Sequence, residues 1–325
     1  MDIRFSGARA IGCRIEENAG GYAGGLHLYQ SEALVSGCVV KGNAGWYGGG
    51  VVLSYGTPEV TGSLVEGNEA TIGGGLWMSG TLGTVRDTRV MGNVAEQAGG
   101  LYMEVSTPVL SGLEVSGNRA VVGAYRTGAG GGMYLEGSSP TMTDLIVSGN
   151  EAEEGGGMYL SSSSPTLTRV IMTGNAASRY GHGGGMYLFA SSPLMTDLTV
   201  TGNEAAFGGG MYLLYSSPTM TQLTVTGNTA DSQGGGMYLS SSNPTMTDLS
   251  LSGNTADSRG GGMYLSSSNP TLTHLLVTRN VSASGGGIYL YTSSPTMTHL
   301  IVTGTPAAAA RGGVGGCTCP TPTRP

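Results

Sequence analysis

An asparagine, preceded by glycine in most copies, recurs along this chain at nearly constant intervals, and that recurrence constrains the fold more than any other feature. The series is Asn18, Asn43, Asn68, Asn93, Asn118, Asn150, Asn175, Asn203, Asn228, Asn254 and Asn280, with successive spacings of 25, 25, 25, 25, 32, 25, 28, 25, 26 and 26 residues. Periods in this range belong to solenoids and arrays, whose units bury an apolar face only by stacking on one another. Two neighbouring copies show how strict the unit is: GGGMYLSSSNPTMTDLSLSGN (234–254) is followed by GGGMYLSSSNPTLTHLLVTRN (260–280).

The unit alternates with a period of two. In GGMYL the Met and Leu share a side and Tyr takes the other; in PTMT the Met opposes two Thr; in LTVTGN the Leu and Val oppose Thr. This is strand patterning, with no helical period. Three short strands per unit fit one coil of a parallel β-helix, each strand pairing with its copies in the coils on either side. The expected fold is therefore all-β: a single right-handed parallel β-helix, or β-solenoid, of about twelve coils and roughly 55 Å. Its inward columns read Met133, Met158, Met186, Met211, Met237, Met263 and Ile288; then Met142, Leu167, Met195, Met220, Met246, Leu272 and Met297; then Leu145, Val170, Leu198, Leu223, Leu249, Leu275 and Leu300. Cys13 and Cys38 fall in the last column and read as buried core thiols. The Gly triplets read as tight-turn positions, and the Asn as a hydrogen-bonded ladder.

Composition agrees and removes alternatives. Sixty Gly and 11% charged residues are far from globular averages, yet 39% hydrophobic residues are too many for a disordered chain. A net charge of −7 gives no reason to expect nucleic acid or an anionic membrane surface as a partner. No apolar run approaches the ~20 residues that span a bilayer, and MDIRFSGARAIGC lacks the layout of a signal peptide. The helix is expected over residues 1–304, with 305–325 a low-complexity tail.

The pattern GGG[MI]Y-L-SSSP-L-T--V-GN-A resembles the right-handed parallel β-helix repeats of bacterial secreted and cell-surface proteins, and is similar to the repeats of chlamydial polymorphic outer-membrane proteins. The resemblance covers roughly residues 8–304. It implies an extracellular or cell-surface module, an adhesin or a structural stalk. The chain departs from that family in placing Val or Leu where the Phe of the FxxN motif stands. Neither end shows a capping helix, so a fragment whose open ends meet a missing segment, a partner or a second copy is expected.

Three surfaces are candidates for binding. The first is a T-x-T array: Thr141, Thr143, Thr166, Thr168, Thr196, Thr219, Thr221, Thr245, Thr247, Thr271, Thr273, Thr296 and Thr298, interrupted once by Leu194. A lattice of hydroxyls and methyls about 6.7 Å by 4.8 Å resembles the ice-binding face of β-solenoid antifreeze proteins, although Thr is also an ordinary choice for a solvated strand. The second is a tyrosine stripe that includes Tyr187, Tyr212, Tyr238 and Tyr264, a platform for sugars or a partner protein, or else simple cross-strand packing. The third lies where the spacing stretches to 32 and 28 residues. There Tyr125, Arg126, Arg179, Tyr180 and His182 are expected to gather near Glu153 and Glu154, the only place where titratable groups of several types converge.

No catalytic residue, metal ligand or cofactor is assigned. The expected role is non-enzymatic, structural and adhesive, toward a surface, a glycan or another copy. Ice binding is the alternative, and a polysaccharide-active enzyme of pectate-lyase-like type is third.

Overall fold

The computed structural model describes residues 1–124 and 127–306. The chain winds into a parallel β-solenoid, and every strand pairing among the described residues is between successive coils and parallel, such as Met211↔Met237 and Thr219↔Thr245. Three sheets run the length of the rod, with 12, 17 and 10 described strands.

Three strands per coil is the expected number, but they divide the repeat differently. The GGMYL segments form the first sheet, for example Met211–Leu214. The PTMT and LTVT segments, expected as two strands, run on as one eight-residue strand such as Thr219–Thr226. The third sheet comes from the residues after the Asn, such as Thr229–Gln233.

The long strand bends at one residue with positive φ: Asp144, Arg169, Asp197, Gln222, Asp248, His274 and His299 all lie between 53° and 57°. In the first coils Gly12, Gly37, Gly62 and Gly112 hold this place, and there the strand splits into three-residue pieces such as Leu34–Ser36 and Val39–Lys41. Gly carries that conformation without steric cost, whereas other L-residues do not.

The inward columns are as expected. Met133, Met158, Met186, Met211, Met237 and Met263 are fully buried, as is nearly all of the Met142 and Leu145 columns; Ile288, Met297 and Leu300, in the last described coil, are half-buried. Cys38 is buried, but Cys13, at the edge of the described coils, is exposed. Cys317 and Cys319 lie outside the described residues.

The asparagines form a continuous internal ladder. Asn203 Nδ2 donates to Asn228 Oδ1 at 2.9 Å and to the Met172 carbonyl at 3.1 Å. In turn Asn203 Oδ1 accepts from both the backbone N–H and the Nδ2 of Asn175 at 2.9 Å. Asn118 reaches Asn150 at 3.0 Å and Asn175 reaches Asn203 at 2.9 Å, so the longer spacings leave the ladder intact and their extra residues are extruded. Asn280 belongs to this ladder and is fully buried, which closes the Asn-Val-Ser sequence to modification.

A second ladder runs through Ser138, Ser163, Ser191, Ser216, Ser242 and Ser268, each backbone N–H donating to the next hydroxyl at 2.9–3.0 Å. Beside the asparagines the coils approach too closely for any side chain. A Cβ at Gly209 would lie 2.2 Å from the Thr229 carbonyl oxygen, and the preceding Gly208 has φ 62°.

Replacing Asn203 by Ala removes an acceptor from two buried donors and two donations of its own. Each buried group left without a partner costs about 1–3 kcal/mol. Asn203→Ala is therefore expected to destabilise the rod by about 3 kcal/mol or more in chemical denaturation; a loss under about 0.5 kcal/mol would mean that the ladder is dispensable.

Candidate functional site

On the outward side of the first sheet, residues two apart along a strand stand side by side and their copies line up along the axis. One outward column is Asp2, His27, Val52, Trp77, Tyr102, Tyr134, Tyr159, Tyr187, Tyr212, Tyr238, Tyr264 and Tyr289, as the strand registers show. The tyrosines stack ring against ring from Tyr102 to Tyr289, with centroids 4.7–5.4 Å apart.

Stacking consumes their faces. Tyr187, Tyr212 and Tyr264 are 6%, 9% and 4% exposed, and Tyr238 is half-buried, so of the two alternatives, open platform or cross-strand packing, the rings show the packing. Burial pushes Tyr102, Tyr159, Tyr187 and Tyr212 well above the ordinary phenol range, and Tyr238 to about 12. For Tyr102 a hydrogen bond donated to Glu136 adds to this.

The stack is roofed by one registered position per coil, which directly precedes the Gly group except where Ala23 and Ala98 intervene. Along the coils this position reads Tyr22, Tyr47, Ile72, Gln97, Ala129, Glu154, His182, Phe207, Gln233, Arg259 and Ser284. His182 turns in here: its ring stacks on Phe207 at 5.3 Å, meets Tyr212 edge-on at 4.6 Å, and its Nδ1 lies 3.2 Å from Glu154 Oε1. Arg179 and Tyr180 face solvent instead, guanidinium over ring at 5.5 Å, with Tyr180 73% exposed. The gathering expected at the longer spacings is thus divided, because His182 is apolar enough on its faces to join the stack. Tyr125 and Arg126 lie outside the described residues.

The threonines keep strict register. Thr141, Thr166, Thr219, Thr245, Thr271 and Thr296 form one exposed column with Leu194, and Thr143, Thr168, Thr196, Thr221, Thr247 and Thr273 a half-buried one that ends in exposed Thr298. The bend at the positive-φ residues bounds this surface with a polar row in which Arg169 pairs with Asp144 at 2.6 and 2.8 Å.

A different surface stands out at the amino-terminal end, where the roof is aromatic. Tyr22, Tyr47 and Trp77 cluster with centroids 5.0–6.1 Å apart and tilts of 46–86°. With Ile72, Tyr102, Glu104 and Glu136 they line a cavity of about 340 Å³. Tyr22 also borders an adjoining cavity of about 540 Å³ lined by Met1, Asp2, Arg4, Ala23, His27 and Tyr29. Tyr22 is 44% exposed, so part of its ring is open to solvent. The Trp77 indole Nε1 is buried without a hydrogen-bond partner.

The two cavities meet at Tyr22 and present aromatic rings beside carboxylates as one amino-terminal groove. The sequence carries a signal of it: the column before the glycines is the least uniform in an otherwise strict repeat, and its first two members are Tyr22 and Tyr47.

A sequence-family profile described as a right-handed β-helix region matches residues 83–246 and 179–318, more than half of the chain, and the protein belongs to that family. Among solved structures the chain is similar to the Dettilon tailspike protein, with 9% identity over 75% of this chain and 62% of that one and a TM-score of 0.38. It is similar to the mannuronan C-5 epimerase A-module of Azotobacter vinelandii, with 11% identity over 95% and 91% of the two chains and a TM-score of 0.36. The receptor-binding domain of the siphovirus 9NA tailspike follows, with 10% identity over 96% and 74% and a TM-score of 0.29. This chain thus spans less than two thirds of the Dettilon tailspike. No curated protein matches. Among the described residues, no helix is long and apolar enough to cross a membrane.

The tyrosine stack gives a pH prediction. Its phenols ionise near 10 when unfolded and at higher pH when folded, so above pH 10 the unfolded chain releases protons first. Stability should be insensitive to these groups below pH 10 and fall as pH rises beyond it. Melting temperatures from pH 8 to 12 check this, and a flat profile above pH 10 would contradict a buried stack.

Proposed function

We propose that this protein is a rigid β-helical rod with a structural and adhesive role outside the cell or at its surface, and that it binds glycans at the amino-terminal groove. The observation that carries the reading is the juxtaposition of Tyr22, Tyr47 and Trp77 with Glu104 and Glu136 in one cavity. Aromatic faces take the C–H faces of a sugar ring while carboxylates accept from its hydroxyls. A few polar groups placed among apolar walls are the usual make-up of a small-ligand site. The tyrosine stack stiffens the rod behind the groove.

The test is binding to an immobilised oligosaccharide library. Tyr22→Ala should weaken retention roughly tenfold, the equivalent of about 1.4 kcal/mol, with little change in melting temperature because Tyr22 is partly exposed. Retention equal to that of the parent chain would remove the groove from the account.

A second reading is supported by the registered Thr columns, whose regular spacing suits an ice lattice. If that face binds ice, Thr221→Lys or Thr247→Lys should abolish thermal hysteresis while the fold is kept. No hysteresis in the parent protein ends this reading.

A further inference from the structure

Asp2, His27 and Ser54 come from three successive coils and meet on the outward side of the first sheet. Parallel pairing sets Asp2 directly opposite His27, and Tyr29 directly opposite Ser54. His27 therefore has an acid on one side and a diagonal serine on the other. Asp2 Oδ1 lies 3.4 Å from His27 Nδ1, and His27 Nε2 lies 3.3 Å from Ser54 Oγ. The two ring nitrogens face different groups, the arrangement in which an acid holds the proton on Nδ1 and leaves Nε2 free to take one from an alcohol. Separations slightly beyond a tight hydrogen bond are usual for a nucleophile and its base without substrate.

The surroundings are built for this. The His27 side chain is 12% exposed, and Arg4 holds Asp2 through Nε at 2.8 Å. The Met1 amino group is tied to the Gly25 carbonyl at 2.8 Å, which fixes the strand carrying Asp2. The Tyr22 ring packs against His27 with centroids 5.1 Å apart. The 540 Å³ cavity opens on Asp2, His27 and Tyr22. Burial also favours neutral His27, the form that accepts a proton.

We propose that Asp2, His27 and Ser54 form a serine-type acyl-transfer centre that hydrolyses esters of small acyl groups. Ser54 Oγ bonds to the acyl carbon as its proton passes to His27 Nε2 and the carbonyl electron pair moves onto its oxygen. The adduct collapses with cleavage of the bond to the alcohol oxygen, which takes the proton from His27. Water then gives a proton to His27 and its hydroxide to the acyl carbon; Ser54 leaves and recovers the proton. The sum is ester plus water to acid plus alcohol. Ser54 is 3% exposed, so Tyr22 must swing aside to admit substrate. An acyl group carried on a sugar rests on the glycan reading of the groove, whereas the nucleophile does not.

The test is labelling of the full chain with a fluorophosphonate, with the adduct located by peptide mass spectrometry, beside turnover of p-nitrophenyl acetate. The expected result is an adduct on Ser54, absent in Ser54→Ala, and turnover at least about 100-fold slower in His27→Gln. Asp2 is a positioning residue, so Asp2→Asn should shift the pH profile of turnover and Asp2→Glu should restore part of the rate. That profile reflects every group facing His27, namely Asp2, Arg4, the amino terminus, Tyr22 and Tyr29. No adduct on Ser54 in the parent chain, or equal labelling of folded His27→Gln, overturns the proposal. Glycan retention measured on the same samples separates the two readings: retention without an adduct sinks only the hydrolase, and an adduct without retention sinks only the glycan site.

Discussion

Coil-on-coil registration is the constraint on which the rest of this molecule depends, and the buried asparagine ladder enforces it. An amide is both donor and acceptor, so one Asn per coil can bond to its copy above and below without leaving a polar atom over. A slip by one residue would turn every apolar column outward. The ladder opposes this because Asn203 bonds in both axial directions and also to the Met172 backbone. The glycines beside it work in the same sense: at Gly209 nothing larger than hydrogen fits beneath the next coil.

Given that registration, columns along the axis follow from the sequence, and most were legible in it. The apolar columns through Met133, Met142 and Leu145, the asparagine ladder and the three-sided coil all come from period and alternation. Two features were not legible. Whether PTMT and LTVT join depends on how sharply the chain turns at Asp144 or Gln222, a φ preference that side-chain periodicity does not encode. The fate of the tyrosines was left open between platform and packing, because alternation shows that a side chain leaves the main core and not what covers it. Here His182, Phe207 and the neighbouring stacked rings cover it.

Regularity and openness therefore part company along this rod. Where every copy is alike, as in Tyr238 and Tyr264, the residues satisfy each other: rings stack on rings and their faces are spent. Where copies differ, faces and charges are left over. The amino-terminal coils place His27 and Trp77 in the tyrosine column, with Tyr22 and Tyr47 in the roof, and there the surface opens into cavities instead of closing over a stack. The longer spacings at 118–150 and 175–203 were the conspicuous irregularities, yet the ladder passes them unchanged and His182 is absorbed into packing.

The central claim is that binding resides in the irregular amino-terminal groove and not on the regular faces. Hydroxyl-radical footprinting of the full chain, with and without a saturating oligosaccharide mixture, tests it most directly. The expected result is protection of Tyr22 and Tyr47, with Tyr215 and the Thr columns unchanged. Protection confined to the Thr columns, or to exposed Tyr215 and Phe189, would contradict it and move the binding surface to the regular part of the rod.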